Sequence, residues 1–172
     1  MKKVVLSAMT ILLVSVFALW SFKSSDATPP VNYSKEIKWY TIEEAMAAHK
    51  EEPKKLFIDV YTDWCHWCKV MDKQTFTDAK VAAYLNENFY PVKFNAETRE
   101  TVKFNGREYM WMAGGRRGVN KLAYALLGGR LGYPSFVYLN EDLERVKISP
   151  GFKKPEQMLT ELKSVNTATS AD

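Results

Sequence analysis

The residues of this chain with the clearest chemical potential are its two cysteines, Cys65 and Cys68, which flank His66 and Trp67. A short apolar run over residues 56–61 predicts a buried strand, and a helix is predicted to begin at about Cys65. There the Cys65 sulfur would meet unpaired N–H groups at the positive end of the helix dipole, which favours its thiolate. Cys68 lies nearly one turn further along the same face, close enough to form a disulfide. This spacing predicts a redox pair with Cys65 exposed and Cys68 shielded.

Three other roles fit the cysteine pair less well. A structural disulfide at this spacing would close a very short loop, for which the loop-entropy relation gives only about 2 kcal/mol, against about 3 kcal/mol for fifteen residues. A zinc site needs four ligands, and the other soft ligands of the chain are only His49 and His66. Haem attachment needs a histidine directly after the second cysteine, where Lys69 stands. We therefore expect neither a metal nor a cofactor.

Composition bounds the class of protein. The chain has 172 residues, of which 47% are hydrophobic and 26% are charged. This is enough for one well-filled core, and it excludes disorder as the main state as well as collagenous and low-complexity classes. The net charge is only +4, and the residues before position 28 supply +2 of it. Nucleic-acid binding therefore has no electrostatic support.

The N-terminus has the pattern of an export signal. Lys2 and Lys3 precede an apolar run of about 19 residues, and Ser25 and Ala27 supply small residues at the −3 and −1 positions of a cleavage site. We predict that residues 1–27 are a signal peptide, or an N-terminal anchor, since the run is also long enough to span a bilayer. Either outcome places the domain outside the cytoplasm, where disulfides persist.

The rest of the chain alternates predicted strands and helices. The predicted strands are 36–40, 56–61, 90–95, 135–139 and 145–149, with a hairpin that pairs 102–104 with 107–109 through Asn105-Gly106. Helices are predicted from a Thr41–Glu44 capping box, from Cys65, from Thr77, over about ten residues ending at Gly128-Gly129, and from Pro155. Strands separated by helices imply crossover connections. The expected fold class is therefore α/β, with a central sheet covered on both faces.

The segment around the cysteines resembles the active-site strand and helix of thioredoxin-like proteins. The resemblance spans about residues 36–165 and is similar to secreted bacterial members, akin to the C-terminal domain of the disulfide-interchange reductases. Its matching features are the tryptophan before the first cysteine (Trp64), the buried aspartate (Asp59), the lysine on the neighbouring strand (Lys93), the cis-proline loop (Gly132-Tyr133-Pro134) and the glycine after the last strand (Gly151). His66-Trp67 departs from the Gly-Pro of thioredoxin, so the potential of thioredoxin does not carry over.

The resemblance implies a thioredoxin-like mixed sheet with helices on both faces and an inserted β-hairpin. It also implies a periplasmic thiol–disulfide oxidoreductase, which we interpret as a reductase of protein disulfides kept reduced by a membrane-bound thiol donor. Cys65 would attack a substrate disulfide and Cys68 would release the substrate. Asp59 would exchange a proton with Cys68 through water, or serve as a structural carboxylate paired with Lys93, or do both. The alternatives are a redox-inactive binding module that recognises a partner through the hairpin, and a disulfide-forming oxidase.

Several residues near the pair are candidate substrate contacts. Trp64, Trp67 and Tyr133 are interpreted either as an apolar platform for an unfolded polypeptide or as core. His66 is interpreted either as a group that, when protonated, favours the thiolate of the first cysteine, or as a side chain that simply faces solvent. Pro134, if its peptide bond is cis, would stand opposite the pair and let the flanking backbone bind a substrate strand. The expected partners are therefore disulfide-containing proteins, and we expect a monomer.

The predicted domain layout is a linker at 28–35, the domain at 36–165 with an insertion at about 98–117, and a disordered tail at 166–172. The insertion contains apolar side chains that are interpreted either as a partner-contact surface or as a cover for the core: Phe104, Tyr109, Trp111 and Met112. A basic set is interpreted as a solvated face in preference to an anion site: Arg116, Arg117, Lys121 and Arg130. His49 is interpreted as a surface residue near a helix end.

Overall fold

The computed structural model describes residues 36–168, so the predicted signal peptide or anchor and the predicted linker lie outside the described residues. The elements within that range are α1 (Ile42–Glu51), β1 (Lys55–Tyr61), α2 (His66–Gln74), α3 (Ala79–Asn88), β2 (Phe89–Asn95), β3 (Val102–Phe104), β4 (Arg107–Tyr109), β5 (Trp111–Met112), β6 (Val119–Asn120), α4 (Lys121–Leu126), β7 (Ser135–Leu139), β8 (Arg145–Pro150) and α5 (Pro155–Ala168). None of the helices in residues 36–168 is long and apolar enough to cross a membrane.

The centre of the fold is a four-stranded mixed sheet with the order β2-β1-β7-β8. Strand β1 pairs parallel with β2 and antiparallel with β7, and β8 pairs antiparallel with β7. The parallel pair requires a crossover connection, which α2 and α3 supply. The predicted α/β class with a central mixed sheet is confirmed.

The two faces of the sheet carry separate apolar clusters. One cluster includes Leu56, Ile58 and Val60 of β1 and packs against α1 and α4. The other includes Phe57 and packs against α2, α3 and α5. Because successive side chains of a strand point to opposite faces, Asp59 shares a face with Phe57. The strand therefore directs one carboxyl group towards the layer that contains α2.

Two local predictions are confirmed in detail. At the start of α1, the Thr41 hydroxyl accepts the Glu44 backbone N–H at 3.2 Å, and the Glu44 carboxylate accepts the Thr41 N–H at 2.8 Å. In the β3–β4 hairpin, Asn105 and Gly106 have φ angles of 46° and 74°. Both turn residues are in the left-handed region that a type I′ turn requires.

Four predicted boundaries differ from the structure because side chains intervene. Residues 36–40 do not form a strand, since only Tyr40 bridges to β2 while the backbone N–H of Lys38 is bound by the Asn86 side chain. Asp78, and not Thr77, caps α3. Asn120 caps α4, which has 6 residues and not about ten. Helix α5 continues to Ala168, beyond the predicted start of the tail, and Lys55 Nζ donates to the Asn166 side chain at 2.9 Å.

The hairpin of the insertion packs against the core. Phe104 is only 9% exposed and belongs to the cluster on the α1 side of the sheet, against which Tyr109 and Met112 also pack. The interpretation as a cover for the core therefore holds for Phe104, while Tyr109 and Met112 are partly buried and keep part of their surface exposed. The sequence also predicts that His49 lies at the surface, and this prediction is wrong. His49 is buried, with its Nδ1 2.9 Å from the Lys54 carbonyl oxygen.

Removal of the Phe104 ring should therefore destabilise the whole domain. We expect Phe104→Ala to lower the free energy of unfolding by about 3 kcal/mol, measured by urea denaturation, because a buried aromatic side chain is lost and a cavity remains. The neighbouring Lys103 side chain is 71% exposed. Lys103→Ala is the matched control and should change stability by less than about 0.5 kcal/mol. Equal, small effects of both variants would contradict a structural role for the hairpin.

Candidate active site

Cys65 and Cys68 form a disulfide at the N-terminus of α2, with their Cα atoms 5.3 Å apart. Cys65 is the N-cap residue of this helix, and its Sγ accepts the backbone N–H of Cys68 at 3.1 Å. The backbone N–H of Cys65 donates to the Thr62 carbonyl at 3.1 Å, which holds the turn between β1 and the helix. The predicted start of the helix at the first cysteine is thus confirmed to within one residue.

The position of Cys65 gives its sulfur a favourable electrostatic environment. The first N–H groups of a helix have no partner within the helix, and the helix dipole places partial positive charge there. The Cys68 N–H already points at the Cys65 sulfur in the disulfide form. The prediction that Cys65 is exposed is wrong for the disulfide form, since Cys65 is only 4% exposed and Cys68 2%. Only electrostatics, and not exposure, distinguishes the two sulfurs in this state.

A cluster of three charged residues connects α2 to strands β1 and β2. Asp59 on β1 and Lys93 on β2 are register partners, and Lys93 Nζ lies 2.8 Å from Asp59 Oδ2. The predicted Asp59–Lys93 contact is therefore present. Lys93 also contacts the carboxylate of Asp72 on α2. Asp72 is four residues after Cys68, so helix periodicity places both on one side of α2. The carboxylate–lysine–carboxylate cluster thus lies one helical turn from the second cysteine.

The members of this cluster have shifted pKa values. Burial raises the pKa of Asp59 to about 6, although the positive charge of Lys93 opposes the shift. Burial also acts to lower the pKa of Lys93, but the charges and hydrogen bonds of Asp59 and Asp72 outweigh it and the pKa is raised. Asp59 Oδ1 is buried and has no hydrogen-bond partner among residues 36–168. Asp59 is therefore a carboxyl group that can change its protonation state near neutral pH.

Aromatic rings surround the lysine of this cluster. Lys93 Nζ lies 5.2 Å, 4.9 Å and 5.4 Å from the ring centroids of Trp39, Tyr61 and Phe76. Each ring presents its negative face to the cation and also excludes water from one side of it. The ammonium group thus lies among three aromatic rings and contacts the carboxylates of both Asp59 and Asp72.

The aromatic side chains beside the disulfide are exposed. Trp64 is 51% and Trp67 54% exposed, which excludes the interpretation of these two rings as core. Trp64 packs edge-on against Tyr133, with the ring centroids 5.9 Å apart. Trp67 packs against Phe152 at 5.2 Å and against the exposed His66 at 5.5 Å. Trp64 and Trp67 each directly precede one of the cysteines and give the site two exposed aromatic side chains.

The proline loop lies beside the strand that leads to the cysteines. The Tyr133–Pro134 peptide bond is cis, as the resemblance implied. Ser135, the next residue, pairs with Val60 of β1. The Pro134 carbonyl accepts the backbone N–H of Gly151 at 2.8 Å, which ties the loop to the end of β8. The loop is therefore held at the edge of the sheet from which the chain continues to Cys65.

Four residues at this site were missed from the sequence. Asp72 contacts Lys93, and Phe152 contacts Trp67. Glu97 and Arg117 both contact Trp64. Helical spacing from Cys68 could have indicated Asp72. The other three lie on segments distant in sequence, and no local pattern marks them. In the described part of the chain, no group of three or more His, Cys, Asp or Glu residues could hold a metal ion.

The fold and the disulfide at the N-terminus of α2 define a thioredoxin-like protein of the thiol–disulfide oxidoreductase class. The chain belongs to the Thioredox_DsbH family, described as "Protein of unknown function, DUF255", whose model matches residues 27–165.

Two relatives illustrate the similarity in sequence. "Uncharacterized protein B0495.5" from Caenorhabditis elegans is 32% identical over 111 residues, which are 64% of this chain and 13% of that protein. "Thiol:disulfide interchange protein DsbD" from Salmonella typhi is 30% identical over 87 residues, which are 49% of this chain and 15% of that protein. The chain therefore corresponds to only a small part of the length of these relatives.

Two solved structures show the same fold. A structure entitled "DsbH Oxidoreductase" has a TM-score of 0.57 at 15% identity and covers 81% of this chain and 90% of its own. A thioredoxin from Thermus thermophilus has a TM-score of 0.56 at 21% identity, with 76% and 87% covered. At these identities the likeness shows the fold alone, and the thioredoxin-like architecture is established by it.

Proposed function

We propose that this chain is a thiol–disulfide oxidoreductase that reduces disulfides of proteins outside the cytoplasm. The observation that carries the proposal is the Cys65–Cys68 disulfide at a helix N-terminus, one turn from the Asp59–Lys93–Asp72 cluster, in which Asp59 is buried. The first feature stabilises an attacking thiolate, and the second supplies a group that can accept a proton. The relative named as a thiol:disulfide interchange protein supports the same class of reaction.

The reaction begins with both cysteines reduced. The Cys65 thiolate attacks one sulfur of a substrate disulfide, that disulfide breaks, and its other sulfur leaves as a thiolate. A mixed disulfide now joins Cys65 to the substrate. Cys68 then loses its proton to the Asp59 carboxylate, attacks the Cys65 sulfur and expels the second substrate thiolate. The substrate gains two electrons and the cysteine pair loses two.

A further thiol must return the pair to its reduced form. We infer that this donor is a membrane-bound dithiol protein, which would become oxidised as it reduces the Cys65–Cys68 disulfide. The N-terminal sequence supports a periplasmic location, because Lys2 and Lys3 precede a long apolar run followed by small residues. A disulfide reductase in an oxidising compartment needs such a supply of electrons.

The balance of charges around the pair supports the reductase direction of electron flow. Stabilisation of the Cys65 thiolate by the helix N-terminus favours the dithiol state and a more oxidising disulfide. The Asp59 carboxylate acts in the opposite direction, since a buried negative charge near the pair disfavours a thiolate. Its partner Lys93 is shared with Asp72, so the cluster contains two carboxylates for one ammonium group. This excess of negative charge supports the proposal that the pair is a reductant.

Two measurements test this proposal. In an insulin-reduction assay with a small dithiol as donor, the purified chain is expected to accelerate precipitation of the insulin chains. Equilibration with glutathione should give a reduction potential below about −180 mV, the value typical of disulfide isomerases. A chain without turnover would be a binding module, and a potential near about −120 mV would identify an oxidase.

A further inference from the structure

A groove of about 390 Å³ lies next to the cysteine pair, between the insertion and the proline loop. Its lining includes the rings of Trp64 and Tyr133, the exposed Leu131, and Arg116 and Arg117 of the insertion. Trp64 directly precedes Cys65 and Tyr133 directly precedes Pro134 in the sequence. A chain lying in this groove would therefore continue towards the reacting sulfur.

The groove carries positive charge that the protein does not neutralise. Arg116 and Arg117 are exposed, and no ion pair within residues 36–168 includes either of them. The one acidic residue that lines the groove, Glu97, accepts a hydrogen bond from Trp64 Nε1 at 2.9 Å. The Arg117 guanidinium lies over the Trp64 ring, 5.5 Å from its centroid, in a cation–π contact. The arginines are thus available to a carboxylate from outside.

The loop that carries the arginines, residues 113–118, is held at both of its ends. Strands β5 and β6 pair on either side of it, and the Gly118 N–H donates to the Gly114 carbonyl at 2.7 Å. Gly118 has a φ of 72°, and a Cβ atom there would lie 2.1 Å from the Trp111 ring, so only glycine allows this close approach. A loop whose ends are held in this way loses less conformational entropy when a ligand binds, which lowers the free-energy cost of binding.

We propose that this groove binds an acidic segment of the substrate polypeptide next to its target cysteine. Apolar side chains of the segment contact Trp64, Tyr133 and Leu131, while its Asp or Glu side chains pair with Arg116 and Arg117. The inference rests on the proposed oxidoreductase function and adds a substrate class to it. It also revises the interpretation of these two arginines as part of a solvated basic face.

The test uses three peptides with the same disulfide and the same apolar residues. The residues flanking one cysteine are Glu in the first peptide, Gln in the second and Lys in the third. We expect the reduced full-length protein to reduce the Glu peptide about fivefold faster than the Gln peptide at low salt, and the Lys peptide more slowly still. About 0.5 M sodium chloride should remove most of this difference by screening the charges.

Charge reversal locates the effect. Arg116→Glu/Arg117→Glu should invert the order of the three peptides, so that the Lys peptide reacts fastest, the Glu peptide slowest and the Gln peptide between them. The matched control is Lys80→Glu/Arg107→Glu, which makes the same change in net charge at two exposed positions away from the groove. This control should keep the original order.

The outcomes separate the two proposals. If the unmodified protein reduces all three peptides equally fast, the oxidoreductase function stands and the groove proposal is wrong. The groove proposal is also overturned if the control changes the order as much as the groove variant does. If none of the peptides is reduced, the proposed function itself fails.

Discussion

Cys68→Ser is expected to stop the reaction after its first step and to leave the substrate bound covalently to Cys65. The Cys65 thiolate, at the N-terminus of α2, can still attack a substrate disulfide in this variant. The serine hydroxyl cannot attack the mixed disulfide that results. Turnover in the insulin assay should therefore fall to the rate of the added dithiol alone, and non-reducing electrophoresis with mass spectrometry should detect one substrate chain per protein.

Cys65→Ser is the matched control for this experiment. It should lose turnover to the same extent but accumulate no mixed disulfide. Cys68 lies three residues after the N-cap position of α2, so its thiolate lacks the stabilisation that the helix N-terminus gives to Cys65. Both cysteines are almost fully buried in the disulfide form, so the contrast depends on the helix electrostatics and not on access alone. Accumulation of substrate on Cys68 in the Cys65→Ser variant would reverse the assigned roles.

The parts of the fold that follow from local sequence could be predicted. The apolar run of β1, the Thr41–Glu44 capping box and the Asn105-Gly106 turn each depend on neighbours within a few residues. The same holds for the disulfide, since its two cysteines are three residues apart. These features have local physical causes, namely alternation of side chains, satisfaction of helix N–H groups and positive φ angles.

The contacts between distant segments could not be predicted. Nothing in the sequence of the hairpin indicates that Phe104 reaches the core, since an aromatic residue fits an exposed or a buried strand face equally well. Glu97 and Arg117 meet at Trp64 only because the insertion returns beside the active-site turn. Three-dimensional packing, and not propensity, decides such contacts. The aspartate–lysine pair was anticipated only through the family resemblance, and its third member, Asp72, was missed.

Asp59 is expected to destabilise the folded protein at neutral pH. Burial raises its pKa from 3.8 to about 6, so the folded state binds more protons than the unfolded state between these values. The free energy of unfolding should therefore fall as pH rises through this window, by about 3 kcal/mol, since one pKa unit corresponds to about 1.4 kcal/mol. Asp59→Asn removes this titration. Urea denaturation should find the variant more stable than the parent at pH 8, with the difference lost near pH 4.

The same substitution should slow the second chemical step. A general base contributes about 100-fold or more to a proton transfer, so Asp59→Asn is expected to lengthen the lifetime of the mixed disulfide by about that factor at pH 7. In the parent, the rate of this step should rise with pH around a midpoint near 6, where the Asp59 carboxyl loses its proton. Rapid acid quenching of the mixed disulfide at a series of pH values measures both effects.

Asp72→Asn distinguishes proton transfer by Asp59 from a general effect of charge near the pair. The negative charge of Asp72 contributes to the raised pKa of Asp59, so its removal should move the midpoint of the pH profile to lower pH without abolishing the profile. Asp59→Asn should abolish the profile altogether. If both variants retain the midpoint of the parent, the group that accepts the Cys68 proton is not Asp59. If only Asp72→Asn abolishes the profile, the base is the carboxylate on α2, and Asp59 acts through Lys93 as a positioning residue.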